Sequence, residues 1–133
     1  MVCIHCGGKT KVVNSRRQSR SNQVWRRRQC LDCGAVFSTR EGAQHELAWM
    51  VRTSGQLEPF SRDKLFMSLY KSCEHRKTAL NDAKGLADTV ISKLPNYAVN
   101  GTISDSDIVR AAQVALNRFD KAASTHYQAF HKA

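Results

Sequence analysis

The sequence predicts an α+β chain in two parts: a small metal-held β ribbon at the N-terminus and, behind it, a β-hairpin followed by a four-helix bundle. Three observations carry that expectation. Four of the five cysteines stand as matched pairs, Cys3 with Cys6 and Cys30 with Cys33, with 23 residues between the pairs. Beyond residue 60 the apolar residues recur at helical spacing. The helical stretches open on capping residues such as Ser61 and Ser104, or close on a breaker such as Pro95.

A two-residue gap lets two thiolates converge on one side of a tight turn, and two such turns supply the four soft ligands of a closed tetrahedral Zn²⁺ site. The alternative is two disulfides. These need an oxidising compartment, and the opening Met1-Val2-Cys3 shows no apolar signal segment. His5 lies inside the first pair but is superfluous once four sulfurs are in place. Such a site keeps no open position for water, so its role is structural, and the reading is not an enzyme. Cys73 falls on an apolar helical stripe and reads as a core residue. Gly7-Gly8-Lys9-Thr10 imitates the end of a phosphate-binding loop, but the first glycine of that motif falls on Cys3. The pair is read as knuckle glycines instead.

The 133 residues carry a formal charge of +10, unevenly placed. Residues 1–46 hold nine Lys/Arg against three Asp/Glu, and residues 47–133 hold twelve against eight. The arginines cluster between the cysteine pairs as Arg16-Arg17, Arg20 and Arg26-Arg27-Arg28. Lys11–Val13 and Gln23–Trp25 read as short strands around a polar loop, a two-stranded ribbon on which Arg26 and Arg28 face one way and Arg27 the other. A ribbon this thin suits a nucleic-acid groove, so nucleic acid is the expected partner, the alternative being a solubilising loop. No stretch approaches the length of a membrane span, and the expected setting is the cytoplasm without a membrane partner.

In the second part Leu47–Arg52 and Gln56–Phe60 flank a turn at Thr53-Ser54-Gly55 and read as a hairpin. The first helix buries Leu65, Phe66, Leu69, Tyr70 and Cys73. The second buries Leu80, Ala83, Ala87, Val90, Ile91 and Leu94 before Pro95. Asn100-Gly101-Thr102 reads as a turn. The third helix is capped by Ser104, with Asp107 three residues on, and buries Ile108, Ala112, Ala115, Leu116 and Phe119. A fourth, capped by Asp120, carries Ala123, Tyr127 and Phe130. His75, His126 and His131 have no nucleophile or carboxylate at a readable spacing. Gln44-His45-Glu46 is the expected joint.

Six segments bear a resemblance. Val13-Asn14-Ser15-Arg16, then Val24 through Cys33, then Phe37-Ser38-Thr39-Arg40-Glu41 resemble the zinc ribbon of the NrdR family of bacterial transcriptional repressors. Met50-Val51-Arg52, Glu58-Pro59-Phe60 and Lys64-Leu65 resemble the ATP-cone that follows it. The resemblance implies a ribbon at 1–40, a linker at 41–48 and an ATP-cone at 49–133. It also implies a repressor, associated with the nucleoid, that binds promoter boxes of ribonucleotide reductase operons. ATP or dATP in the cone sets its homo-oligomeric state and hence its DNA affinity. Carried over by position, Arg16, Arg26, Arg27 and Arg28 become DNA contacts, with Arg17 beside them. Val51, Arg52, Gly55, Glu58 and Lys64 become the adenine-nucleotide site. The chain departs from the family at Thr53-Ser54, where the pattern has an arginine and an acid before the glycine, and at Ser124, where it has a tyrosine. Those departures sustain an alternative, a ribbon adaptor for nucleic acid or protein that has lost nucleotide sensing.

Overall fold

The structure, a computed structural model, describes residues 1–44 and 48–131, which divide into two compact units, Met1–Ala43 and Gln44–Ala133. The expected joint falls partly on His45 and Glu46, and the expected hairpin partly on Leu47, all outside the described residues. The first unit is a three-stranded antiparallel sheet of β1 (Thr10–Gln18), β2 (Gln23–Cys30) and β3 (Val36–Glu41), in that order. The two-stranded expectation is therefore corrected. Strand β3 pairs with β2 from Gln29↔Val36 to Val24↔Glu41. Its sequence, VFSTRE, alternates too weakly to stand out alone, and long-range pairing makes it a strand. Strand β1 carries a bulge between Val12 and Asn14, leaving Val13 without a partner.

The second unit opens with the hairpin of β4 (Met50–Thr53) and β5 (Gln56–Pro59). Ser54 and Gly55 both take positive φ, 50° and 81°, the two-residue type I′ connection that matches strand twist. Helix α1 (Arg62–Cys73) follows, and Ser61 caps it by accepting from the Lys64 N–H. Helix α2 (Ala79–Lys93) ends in a 3₁₀ turn at Leu94–Asn96, where Pro95 stops the α-helical ladder. Asn100 and Gly101 then form a second type I′ pair at 51° and 73°, as the Asn-Gly sequence demands. From it emerges β6 (Thr102–Ser104), which lies parallel to β4 and completes a sheet of order β5-β4-β6. So short a strand leaves no period of its own. Helix α3 (Asp105–Phe119) is capped by Ser104 accepting from the Asp107 N–H, and α4 (Lys121–Phe130) by Asp120.

One apolar core runs through this unit, including Val51, Phe60, Leu69, Val90, Ile103 and Leu116. Several expected core residues lie outside it. Leu80 is 54% exposed while Ala79 and Leu86 are buried, so the true buried stripe of α2 is rotated slightly. Tyr70 is exposed and stacks on Phe66. Phe130, last in α4, is 73% exposed against the His126 ring. Phe119 is covered by the Arg76 guanidinium, 4.6 Å above its ring.

Arg76 also anchors a polar clasp between the helix ends. It pairs with Asp82 and with Asp120, each at 2.9 Å, and His75 Nε2 meets Asp120 at 3.1 Å. His75 thus does have a carboxylate partner, 45 residues away and invisible to local spacing. The Ala123 N–H, then His75 and Arg76, hold the Asp120 carboxyl well below the usual range. His126 likewise meets the Ser72 hydroxyl at 3.3 Å.

Candidate metal centre and binding surfaces

The four paired cysteines come together although the two turns are far apart in sequence. Their sulfurs all lie within 4.8 Å of one another, with Cys3 to Cys33 at 3.7 Å and Cys6 to Cys30 at 3.5 Å. Four sulfurs at about 2.3 Å from a tetrahedral zinc stand about 3.8 Å apart, so the donor set fits the ion. All four thiols are free of disulfides. Backbone N–H groups point at the sulfurs: His5 to Cys3, Gly8 to Cys6, and both Asp32 and Cys33 to Cys30. Each donor favours the thiolate. Donation from Cys33, against burial and with help from Asp32, lowers the Cys30 thiol to about 7. Cys6 goes the other way. Its Gly8 donor works to lower it, yet the adjoining Cys30 and Cys33 sulfurs raise it to about 12. Four anions this close need a cation among them, and Zn²⁺ with its preference for sulfur is the one this site suits.

Glycines shape both knuckles. Gly7 and Gly34, each directly after the second cysteine of its pair, take φ of +76° and +75°, where a side chain is strained. The His5 backbone serves Cys3, while its ring is not among the four ligands.

The arginines are placed by the sheet. Arg26 pairs with Glu41 at 2.7 Å, and Arg28 Nε donates to the Thr39 hydroxyl at 3.3 Å. Arg16, Arg17 and Arg27 are exposed. Cross-strand register sets Arg16 opposite Trp25, Arg17 opposite Val24 and Arg26 opposite Ser15.

In the second unit a cleft forms where the hairpin, α1, α3 and α4 meet. Of the five expected nucleotide residues it gathers three, Val51, Glu58 and Lys64. Lys64 Nζ lies 3.2 Å from the Glu58 carboxylate, an exposed ion pair. Arg52 and Gly55 are not part of this lining. Arg52 follows inward-facing Val51 on β4, so alternation turns it to the other side, and Gly55 sits at the hairpin tip. Asp105, Tyr127 and His131 line the cleft too, and sequence reasoning had no signal for them. Burial pushes the Tyr127 phenol up to about 12, keeping it neutral, and lowers the His131 imidazole. A second, wider groove of about 660 Å³ lies between α1 and α4 and shares Lys64, Ser68 and His131 with the cleft. Ser124 is buried beside α3, where Gln113 donates to its hydroxyl and the hydroxyl donates to Asn117.

Comparison with known proteins points the same way for both units. The sequence profile described as "Transcriptional repressor NrdR-like, N-terminal domain" matches residues 1–41. A transcriptional repressor NrdR of Symbiobacterium thermophilum is 40% identical over 90 residues, 68% of this chain and 60% of its own length. One of Syntrophus aciditrophicus is 36% identical over 74% of this chain and 62% of its own length, so these two matches span less than two thirds of the relatives. A third, of Oceanobacillus iheyensis, is 32% identical over 99% of this chain and 84% of its own. No helix among the described residues is long and apolar enough to cross a membrane.

Proposed function

The chain belongs to the NrdR family of transcriptional repressors, and on that footing we propose that it represses ribonucleotide reductase operons by binding boxes in their promoters, under the control of an adenine nucleotide. The observation that carries this reading is the pairing of a four-thiol ribbon rich in exposed arginine with a cleft that gathers Val51, Glu58 and Lys64. Guanidinium groups neutralise phosphates and steer the protein to DNA. The second unit acts as an ATP-cone: Lys64 engages the triphosphate of ATP or dATP, and Val51 gives the ligand an apolar wall. Glu58 must release Lys64 for this, so binding separates two residues that pair in the cleft lining. Arg52 and Gly55 contribute from the hairpin only if it shifts on binding.

Regulation requires that ATP and dATP favour different assemblies by different free energies, since a ligand that binds every form equally shifts nothing. In this reading dATP favours a homo-oligomer that aligns several ribbons with successive boxes, adding avidity to weak single contacts. The protein works in the cytoplasm, at the nucleoid, as a regulator and not an enzyme. Native mass measurement without nucleotide, with ATP and with dATP tests this, alongside titration of labelled promoter DNA under the same conditions. The expected result is a distinct assembly and a distinct DNA affinity with each nucleotide. Identical masses and identical curves would overturn the regulatory half. They would favour the second reading, an adaptor without sensing, which Arg52 turned from the cleft and Lys64 neutralised by Glu58 keep in play.

A further inference from the structure

The two faces of the ribbon sheet differ in chemistry, and the difference follows from register. Cross-strand partners share a face, and neighbours along a strand alternate. Cys30, Arg28 and Arg26 of β2 therefore point one way, beside Phe37 and Thr39 of β3. On this face Phe37 and Cys30 join Cys3 in the small buried cluster, Arg28 is bonded to Thr39, and Arg26 is paired with Glu41. Arg26 and Arg28 are occupied in holding β3 to β2, whereas Arg17, opposite Val24 on the same face, is exposed and makes no ion pair among the described residues.

The opposite face is unlike it. Arg16, Trp25 and Arg40 form one row across the three strands, Arg27 lies between Asn14 and Ser38, and Lys11 faces Gln29. No Asp or Glu of the paired strands falls on this side. Among the described residues no ion pair engages Lys11, Arg16, Arg27 or Arg40. The bulge creates this grouping. Val12 is opposite Arg28, on the paired face, and strict alternation would put Arg16 there as well. The extra residue at Val13 turns the rest of β1 over, so that Arg16 joins Lys11 on the free face.

We propose that duplex DNA docks on this free face, with Arg16 and Arg40 reaching phosphates on either side and Trp25 between them meeting base edges. The inference rests on the DNA-binding reading above and adds to it which side of the sheet is used, with Trp25, Arg40 and Lys11 as contacts. The dimensions agree. Two strand spacings separate β1 from β3, about 10 Å, close to the about 12 Å width of the major groove. Outer-strand cations thus face the two backbones while the central strand faces the groove floor. Arg26 and Arg28, turned to the other face and bonded to Glu41 and Thr39, touch no DNA in this arrangement. The deep, narrow major groove of A-form RNA does not admit such a face.

The test is fluorescence anisotropy of a labelled ribonucleotide reductase promoter duplex against the full zinc-loaded chain over a series of KCl concentrations. Zinc content and far-UV circular dichroism are checked for each variant. Arg40→Gln is expected to weaken binding and reduce the log-log salt slope by about 0.9, one phosphate contact. Trp25→Ala is expected to weaken binding about tenfold with the slope unchanged, the cost of a lost base contact. Trp25→Tyr, which keeps a flat ring, is expected to recover part of it. Arg28→Gln and Arg26→Gln are expected to leave the slope as it is. The face assignment is overturned if Arg26→Gln or Arg28→Gln reduces the slope while Arg40→Gln and Trp25→Ala bind like the parent. It is also overturned if an RNA duplex of the same sequence competes equally well. Failure of the parent chain to bind the duplex at low salt would instead remove the DNA-binding reading, and the face with it.

Discussion

Between Met1 and Ala43 the buried cluster consists of Cys3, Cys30 and Phe37, and two of those three are metal ligands. From Val51 to Tyr127, in contrast, an unbroken apolar core links the sheet to all four helices. A chain of about forty residues cannot bury enough apolar surface to offset its conformational entropy, so the first unit replaces hydrophobic area with metal–sulfur bonds. The substitution frees its surface. With so little to bury, nearly every side chain of β1 is exposed and available for contact, while the second unit spends its apolar residues on packing and keeps a defined cleft. The two units therefore rest on different sources of stability, and each can be disturbed without the other.

The largest expected effect breaks the comparison at the metal. Cys30→Ser, or a strong chelator, is expected to unfold residues 1–43 and leave 44–133 folded, because a structural zinc supplies about 10–16 kcal/mol of apparent folding free energy. Amide dispersion collapsing for the ribbon alone is the NMR outcome that checks it; a ribbon that stays ordered without metal would refute the contrast. Next, Leu69→Ala opens a cavity at a fully buried site of α1 and is expected to cost about 2–5 kcal/mol in the second unit. Denaturant unfolding followed alongside zinc content should show that loss with no change in metal binding.

A pH series sharpens the contrast further. Asp120 has a depressed carboxyl, so its contribution is complete above the unfolded-state value near about 4 and is lost as pH falls toward its lower folded value. Acid should therefore weaken the second unit through this clasp, and Asp120→Asn should flatten that loss while retaining a side chain that can cap α4. A thermal melt at successive pH values decides it: parallel profiles for parent and variant would place the acid sensitivity elsewhere. The smallest effect concerns Ser54, which occupies a left-handed turn position that Asn or Gly takes more readily. Ser54→Asn is expected to stabilise the hairpin by up to about 1 kcal/mol, raising the midpoint of the second unit alone.

Much of this was legible in the residues. The CxxC spacing announced a metal site, Ser61, Ser104 and Asp120 announced helix starts, and Asn100-Gly101 announced its turn, since each is a rule of short range. Strand β6, the Asp120 clasp and the cleft lining were not legible. They join residues far apart in the chain, and no local period records which segment will lie beside which.

The ribbon shows the division most sharply. Sequence alone determined that four thiolates and a run of arginines occur together, because ligand spacing and charge are properties of neighbouring residues. Which arginines are tied and which are free was decided only by tertiary structure. A single bulged residue in β1 and the pairing of β3 reset the alternation, and in a pleated sheet a shift of one residue carries every following side chain to the other face.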